Sequence, residues 1–152
     1  MSFLNAVINK LEDEVLREYL QERVEIVQHK IKFMDRVMVA VLNAKNELDT
    51  DLEWLINAAG GELQDDPVNA GVVIYYEDGV GILELMGVVP AMLHAEWPSV
   101  AYNRVYLLDD QSIGSVSAER AVDVLEDLAE MLHPGYFVFG NEGKTWISFK
   151  TQ

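Results

Sequence analysis

Residues 72–86 read VVIYYEDGVGILELM and decide how the second half of the chain is interpreted. Two apolar runs, at 72–77 and 80–86, stand on either side of Asp78 and Gly79. An Asp-Gly pair between two such runs is the strongest short-range signal for a β-hairpin, because both residues accept the left-handed backbone of a tight turn. The stretch therefore predicts two neighbouring antiparallel strands.

The rest of the second half adds three predicted strands and one helix. Residues 104–108 are a third strand, and residues 136–139 and 145–150 form a last hairpin. Ser117 is placed to cap a helix over residues 118–132. Since local hairpins replace the strand–helix–strand alternation of a parallel sheet, the sequence predicts an α+β fold. Its sheet is expected to be five-stranded and mainly antiparallel, with one covering helix.

A long N-terminal helical segment precedes this predicted sheet. No glycine or proline occurs before Gly60, and seven apolar residues follow one another at alternating spacings of four and three. These seam residues are Leu20, Val24, Val27, Ile31, Met34, Met38 and Val41. Such a seam is typical of a coiled coil, so we expect it to mediate oligomerisation as a homodimer. The chain is accordingly divided into a helical segment, 1–60, and an acidic α/β sheet domain, 61–152.

The length of the helical segment leaves two arrangements open. A continuous helix over residues 3–47 would be about 68 Å long, whereas a compact chain of this size has a radius of gyration of about 15 Å. Either the chain turns back between residues 16 and 33, or the helix projects and pairs with a second copy. Pairing is favoured because a projecting apolar seam is not stable in water.

The negative charge is confined to the second part of the chain. The net charge is −15, and residues 1–45 contain seven acidic and seven basic side chains, so all of it lies in 46–152. We therefore expect no direct binding to nucleic acid or to an anionic membrane, since both need clustered Lys and Arg. A basic protein partner would instead be attracted by the same field.

Composition also limits the compartment and the chemistry. The 152 residues include no cysteine, which excludes a disulfide framework and a cysteine nucleophile. The longest stretches without Asp, Glu, Lys or Arg have 11 residues, which is short of the ~20 needed to span a bilayer. The first residues also lack the basic region of a signal peptide, so we expect a cytoplasmic protein.

The candidate catalytic and metal-binding motifs do not have the residue spacing that such sites require. Residues 143–145 read Gly-Lys-Thr and resemble the end of a phosphate-binding loop, but Val138 stands where that motif needs glycine. The acids within residues 49–53 have the spacing of a calcium loop without its turn glycine. The three histidines show none of the spacings of metal ligands. The sequence therefore predicts no enzyme activity, no metal site and no cofactor.

One face of the last predicted helix is expected to carry a row of acids. Glu119, Asp123, Glu126 and Glu130 are spaced by four, three and four residues, with Asp127 beside them. Unneutralised acids about 5–6 Å apart are spaced much like the phosphates of a nucleic acid, which favours docking on a basic surface. A solvated helix face is the simpler alternative.

An apolar stretch, residues 88–98, is the second candidate binding surface. It lies between predicted strands and contains Met92 and Trp97, two residue types that recur at interfaces. The alternative interpretation is a lid that covers one face of the sheet, because exposed apolar patches are the exception.

These observations favour a non-catalytic, acidic protein-binding module. We expect an inhibitor or adaptor that docks on a basic, nucleic-acid-binding protein as a phage-type nucleic-acid mimic. Size, acidity and the order of elements resemble phage-encoded inhibitors that occupy nucleic-acid sites, and also bacterial type III secretion chaperones, which are acidic homodimers. Two alternatives stay open: an assembly or chaperone-type homodimer acting through the seam and residues 88–98, and a small-molecule site that no motif reveals.

Overall fold

Five strands form one sheet in the computed structural model, which describes residues 3–111 and 117–150. They are β1 (Val37–Leu42), β2 (Gly61–Leu63), β3 (Val72–Tyr75), β4 (Val105–Leu108) and β5 (Trp146–Phe149). Their order across the sheet is β2-β1-β3-β4-β5. Strands β1 to β4 are parallel to their neighbours, whereas the edge strand β5 pairs with β4 in the antiparallel sense. The architecture is therefore an α/β sheet of mostly parallel strands.

Helices cover both faces of this sheet. They are α1 (Phe3–Asn9), α2 (Glu14–Ile31), α3 (Glu53–Ala58), α4 (Ile82–Val88), α5 (Pro98–Ala101) and α6 (Ala118–Leu132), with 3₁₀ turns at Pro67–Asn69 and Val89–Ala91. Helices α1, α2, α3 and α6 pack on one face, and α4 and α5 contact the strands from the other. No helix in the described ranges is both long enough and apolar enough to span a membrane.

Alternation along the strands divides the apolar side chains between two cores. In β1, Val39 and Val41 belong to the core under α6, whereas Ala40 and Leu42 belong to the core under α4. All four residues of β3 are buried, as are all four of β4. Continuous apolar runs of this kind are typical of parallel strands that are covered on both faces.

The prediction of the last helix is confirmed. α6 covers Ala118–Leu132, and the Ser117 side chain accepts a hydrogen bond of 3.2 Å from the backbone N–H of Arg120. A serine before the first helical turn satisfies one of the unpaired N–H groups there, which is why this boundary can be located from sequence. The predicted strand at residues 104–108 is also confirmed as β4.

The predicted hairpin around Asp78 and Gly79 is wrong, and so is the mainly antiparallel sheet. Gly79 does turn the chain, with a φ of 85°, but residues 82–88 then form α4 rather than a strand. β3 therefore reaches β4 through a helical crossover, and the two strands pair in parallel. A short apolar run suits a buried strand or a helix equally well, and here the second face of the sheet needs a helical cover.

The predicted seam is divided between a helix, a link and a strand. Leu20, Val24 and Val27 are buried in α2, Ile31 ends it, Met34 lies in the link, and Met38 and Val41 lie in β1. The buried members pack inside this chain, because α2 lies against α6 and β1 is a central strand. The coiled-coil homodimer predicted from this seam is therefore wrong.

The last predicted hairpin is also wrong. Residues 136–139 form no strand, and β5 pairs with β4 instead. The long N-terminal helix is interrupted as well, because the sheet takes β1 from residues 1–60 and its other strands from residues 61–152. One apolar core, with Leu4 at one end of the sequence and Trp146 near the other, crosses that division.

Candidate functional site

The carboxyl ends of the parallel strands form the edge at which a ligand site is expected. After β1 the chain passes to β2 on one side, and β3 then lies on the other side of β1. In open α/β sheets, ligands bind outside the carboxyl ends of the strands at such a reversal of strand order. Three described loops reach this edge, at residues 43–51 after β1, 76–81 after β3 and 109–111 after β4.

Hydrogen bonds fix the loops on either side of the reversal. Asn46 has a positive φ of 63°, and its Oδ1 accepts a hydrogen bond of 2.7 Å from the Tyr75 hydroxyl. Its Nδ2 donates to the backbone carbonyl of Met92 at 3.3 Å. Glu77 Oε1 accepts the backbone N–H of Ala44 at 3.2 Å. The loops after β1 and β3 are therefore tied to each other and to the segment that follows α4.

Carboxylates gather around the same loops. Burial raises the pKa of Asp49, and the negative charges of Asp51, Asp78 and Glu77 raise it further. The backbone N–H of Asp51 acts in the opposite direction, because it donates a hydrogen bond of 2.7 Å to the Asp49 carboxylate. The Tyr76 hydroxyl donates to the carboxylate of Asp78. This part of the edge therefore has negative potential.

A groove of about 590 Å³ lies beside these loops, between α4 and the turn that precedes β5. Its lining residues are Gly81, Ile82, Leu83, Glu84, Asp109, Gly143, Lys144 and Ile147. Asp109 Oδ1 accepts the backbone N–H of Ile82 at 3.0 Å, which fixes the start of α4 against the end of β4. Glu84 and Lys144 are exposed, so the groove presents both charge signs to solvent.

Most side chains of the predicted acid row on α6 form ion pairs or hydrogen bonds within this chain. Arg23 of α2 forms ion pairs with Asp123 at 2.8 Å and with Glu126 at 2.6 Å. The bond to Glu126 is the main reason that the pKa of Arg23 lies above its ordinary value. Spacing along α6 could not predict these ion pairs, because Arg23 lies about one hundred residues before its partners. The row is therefore not an unneutralised surface.

Two other members of the row bind the chain that follows α6. Asp127 is 1% exposed and accepts hydrogen bonds from Thr145 Oγ1 at 2.6 Å and Asn141 Nδ2 at 3.2 Å. Glu130 Oε1 accepts the backbone N–H of Phe139 at 2.7 Å. Glu119 is exposed. Asp127 and Glu130 therefore position the irregular segment between α6 and β5.

The apolar 88–98 segment lies mainly against the sheet. Trp97 is 6% exposed and belongs to the core under α4, with Leu85 and Val89, while Met92 is half-buried beside them. This is the arrangement of a lid over one face. The exposed apolar side chains nearby are instead Leu83, Met86 and Val88 of α4.

Sequence reasoning predicted neither Asn46, which fixes the loop after β1, nor Asp109, which lines the groove, as a residue of this site. Each follows a buried apolar run, which is a usable signal only when the strands are known to be parallel and their carboxyl ends are known to meet. Because a hairpin was predicted at 72–86, the strands were not expected to be parallel, and the residues after them were not expected to meet at one edge. Among residues 3–111 and 117–150, no three His, Asp or Glu side chains are grouped so that they could hold a metal ion.

Comparison with known proteins gives a likeness in fold. No protein-family model and no curated protein matches the sequence. A substrate-binding protein of an ABC transporter from Listeria monocytogenes superposes with a TM-score of 0.61 at 17% identity, covering 86% of this chain and 62% of that one. The TroA-like periplasmic binding protein FepB from Veillonella parvula gives 0.58 at 14% identity, covering 81% and 47%. A periplasmic heme-binding protein from Pseudomonas aeruginosa gives 0.52 at 17% identity, covering 87% and 60%.

These neighbours contradict the function predicted from charge. They are solute-binding proteins, not inhibitors, adaptors or nucleic-acid mimics, and they give no support to a basic protein partner or a homodimer. Two of them are periplasmic, which contradicts the expectation of a cytoplasmic protein. This chain spans about half to three-fifths of the length of the neighbours. What the likeness establishes is the fold, an α/β sheet of mostly parallel strands that resembles periplasmic binding proteins.

Proposed function

We propose that this chain binds a small polar solute in the groove at the carboxyl edge of its parallel strands and does not transform it chemically. The observation that carries the proposal is the 590 Å³ groove between α4 and the turn before β5. Its volume lies within the range of small-molecule sites, about 300–1,000 Å³. It lies at the carboxyl edge of the sheet, beside β4 and β5 rather than at the reversal between β1 and β3.

Charge at the groove suits a solute that carries both signs or is strongly polar. Lys144 offers an ammonium group from the turn before β5, and Glu84 offers a carboxylate from α4. Asp109 contributes a second carboxylate, of which one oxygen is bonded to Ile82. Opposed groups of this kind fix the orientation of a ligand, because each recognises a different end of it.

Similarity of fold supports binding rather than catalysis. The Listeria neighbour is named as the substrate-binding protein of an ABC transporter, and the Pseudomonas neighbour as a heme-binding protein. By analogy we infer a role outside the cytoplasm, in which the captured solute is passed to a membrane transporter. Because the neighbours are longer than this chain, the proposal is limited to the groove that the chain itself contains.

A ligand panel tests the proposal. Nickel(II), hemin, a ferric siderophore, charged amino acids and neutral sugars would each be added to the protein while thermal unfolding is followed. A solute that binds the folded state raises the melting temperature by mass action. We expect at least one solute to do so, with the shift reduced in Lys144→Ala and in Glu84→Gln.

Lys10→Ala is the matched control, because Lys10 is an exposed lysine in the turn between α1 and α2, away from the groove. Its shift should equal that of the wild type. A panel without any shift, or a shift that is the same in all three variants, contradicts the proposal.

A further inference from the structure

A second groove, of about 320 Å³, lies on the opposite face of β5 from the first. Successive side chains of a strand point to opposite faces. Accordingly Ile147 lines the carboxyl-edge groove, whereas Trp146 and Ser148 line the second one. The far wall of the second groove comes from residues 134–138, which follow α6 and form neither a helix nor a strand. Solute binding at the carboxyl edge makes no use of this groove.

Trp146 lines this groove and carries a buried, unsatisfied donor. The residue is 4% exposed, and its indole Nε1 has no hydrogen-bond partner among the described residues. A buried donor without an acceptor costs about 1–3 kcal/mol, so native structures contain few of them. The ring is held by edge-on packing with Tyr106, at 5.7 Å between centroids. An acceptor that enters the groove would supply the missing bond.

Aromatic side chains line the same groove. Phe137 is 6% exposed and stacks on Phe139 at 5.7 Å between centroids, with 16° between the ring planes. Tyr106 also lines the groove beside Trp146. Aromatic walls favour a flat ring, which packs against them in offset or edge-on geometry. The volume is at the small end of the range for ligand sites, about 300 Å³, which limits the ligand to one ring with a short substituent.

Acidic and basic side chains both line the second groove. Glu130 and Glu142 line it on the acidic side, and the Phe139 N–H holds one oxygen of Glu130 at 2.7 Å. Lys150 lines it on the basic side and is exposed at the end of β5. A ligand that fills the groove therefore meets an ammonium group and two carboxylates in addition to the aromatic walls.

We propose that this groove binds a zwitterionic aromatic amino acid. Its ring lies against Phe137 and Tyr106, and its ammonium group faces Glu130 and Glu142. Its carboxylate accepts the indole N–H of Trp146 and pairs with Lys150. The indole nitrogen is covered in the unbound chain, so the irregular wall at 134–138 shifts as the carboxylate enters.

Calorimetric titration of the full chain tests the proposal with L-phenylalanine and two analogues that each lack one charge. L-Phenylalanine is expected to bind one-to-one, and both 2-phenylethylamine and 3-phenylpropionate are expected to bind at least about tenfold more weakly, since each loses a charge-assisted hydrogen bond. Absence of binding by L-phenylalanine at millimolar concentration overturns the proposal.

Trp146→Phe keeps an aromatic ring but removes the indole N–H together with one of the two fused rings. This variant should bind L-phenylalanine about tenfold more weakly, and its unliganded melting temperature should fall because the smaller ring leaves a cavity at a buried position. Unchanged affinity overturns the proposal. If circular dichroism shows that this variant does not fold, Lys150→Gln is the deciding variant. It should weaken the binding of L-phenylalanine and 3-phenylpropionate and leave the binding of 2-phenylethylamine unaffected. Equal weakening for all three ligands, or for none, overturns the proposal.

Two further variants separate this site from the one at the carboxyl edge. Lys144→Ala alters the first groove and Lys10→Ala alters neither, so both should bind L-phenylalanine as the wild type does. Loss of binding in Lys144→Ala would mean that the amino acid occupies the carboxyl-edge groove, which overturns this inference and leaves the proposed function standing.

Discussion

Thr145 Oγ1 donates a hydrogen bond of 2.6 Å to Asp127 Oδ2, joining the turn that precedes β5 to the middle of α6. The carboxylate that receives it is almost fully buried. A residue that the sequence places on a solvated helix face thus holds the turn that precedes β5 from inside the fold. Its charge has consequences for stability that can be measured.

The free energy of unfolding should depend on pH through Asp127. Burial raises its pKa from 3.8 to about 6, against the opposing hydrogen bonds of Thr145 and Asn141 and with the help of the Glu130 and Asp123 charges. A folded pKa above the unfolded one means that the folded state binds the proton more tightly. The stability from this group is therefore fully present below pH about 4 and is lost as pH rises to about 6.

Asp127→Asn isolates this effect. The difference in unfolding free energy between wild type and variant should change by at most about 3 kcal/mol between pH 4 and 7, since one pKa unit corresponds to about 1.4 kcal/mol. Urea unfolding at several pH values measures it. Asp35→Asn, at an exposed carboxyl, should keep the wild-type pH dependence, and a constant difference for Asp127→Asn would show that its pKa is not raised.

Removing Arg23 should destabilise the chain. Glu126 has 11% of its side chain exposed, so loss of the arginine leaves a nearly buried carboxylate without its cation. We expect Arg23→Met to lower the free energy of unfolding by about 2–4 kcal/mol, near the range for breaking a buried pair. The double variant with Glu126→Gln should recover part of that loss, and a denaturant-based double-mutant cycle would show coupling. Strictly additive effects would contradict the importance of this ion pair.

Asn46 should resist replacement for two separable reasons. Asparagine and glycine tolerate its left-handed backbone better than alanine does, and its amide joins Tyr75 to Met92. Asn46→Ala loses both features and should cost about 2 kcal/mol, whereas Asn46→Gly loses only the hydrogen bonds and should cost about 1 kcal/mol. Chemical denaturation of the two variants measures the difference. An alanine variant as stable as the glycine variant would show that the backbone conformation contributes nothing.

Gly61 should not tolerate a methyl group. A Cβ there would lie 2.7 Å from Ile56 Cγ2 and 3.0 Å from Leu132 Cδ1, where β2 passes under α3 and α6. Gly61→Ala should therefore lower stability by about 1–3 kcal/mol through overpacking. Gly71→Ala is the matched control, because a Cβ at that position meets no atom within 4 Å. Thermal unfolding in which both variants behave alike would contradict the close packing at Gly61.

The sequence by itself determined the features whose causes are local. Ser117, followed by an amphipathic run, specified α6 from cap to end because the cap satisfies the first turn and the apolar stripe has helical spacing. The apolar runs at 72–77 and 104–108 predicted strands, and the structure has β3 and β4 within them. Gly79 also marked a genuine turn, with the positive φ that glycine accepts.

Only the tertiary structure decided how these elements pair and what their polar side chains contact. The run at 37–42 is a central strand rather than the end of a helix, because β2 and β3 pair with it from distant positions in the sequence. Parallel pairing depends on crossover helices on both faces, and a short apolar run does not distinguish such a helix from a strand. Arg23 and the 141–145 turn likewise reach the carboxylates of α6 only in the folded chain. Charge spacing along one helix cannot reveal such contacts, because electrostatic partners are set by distance in space.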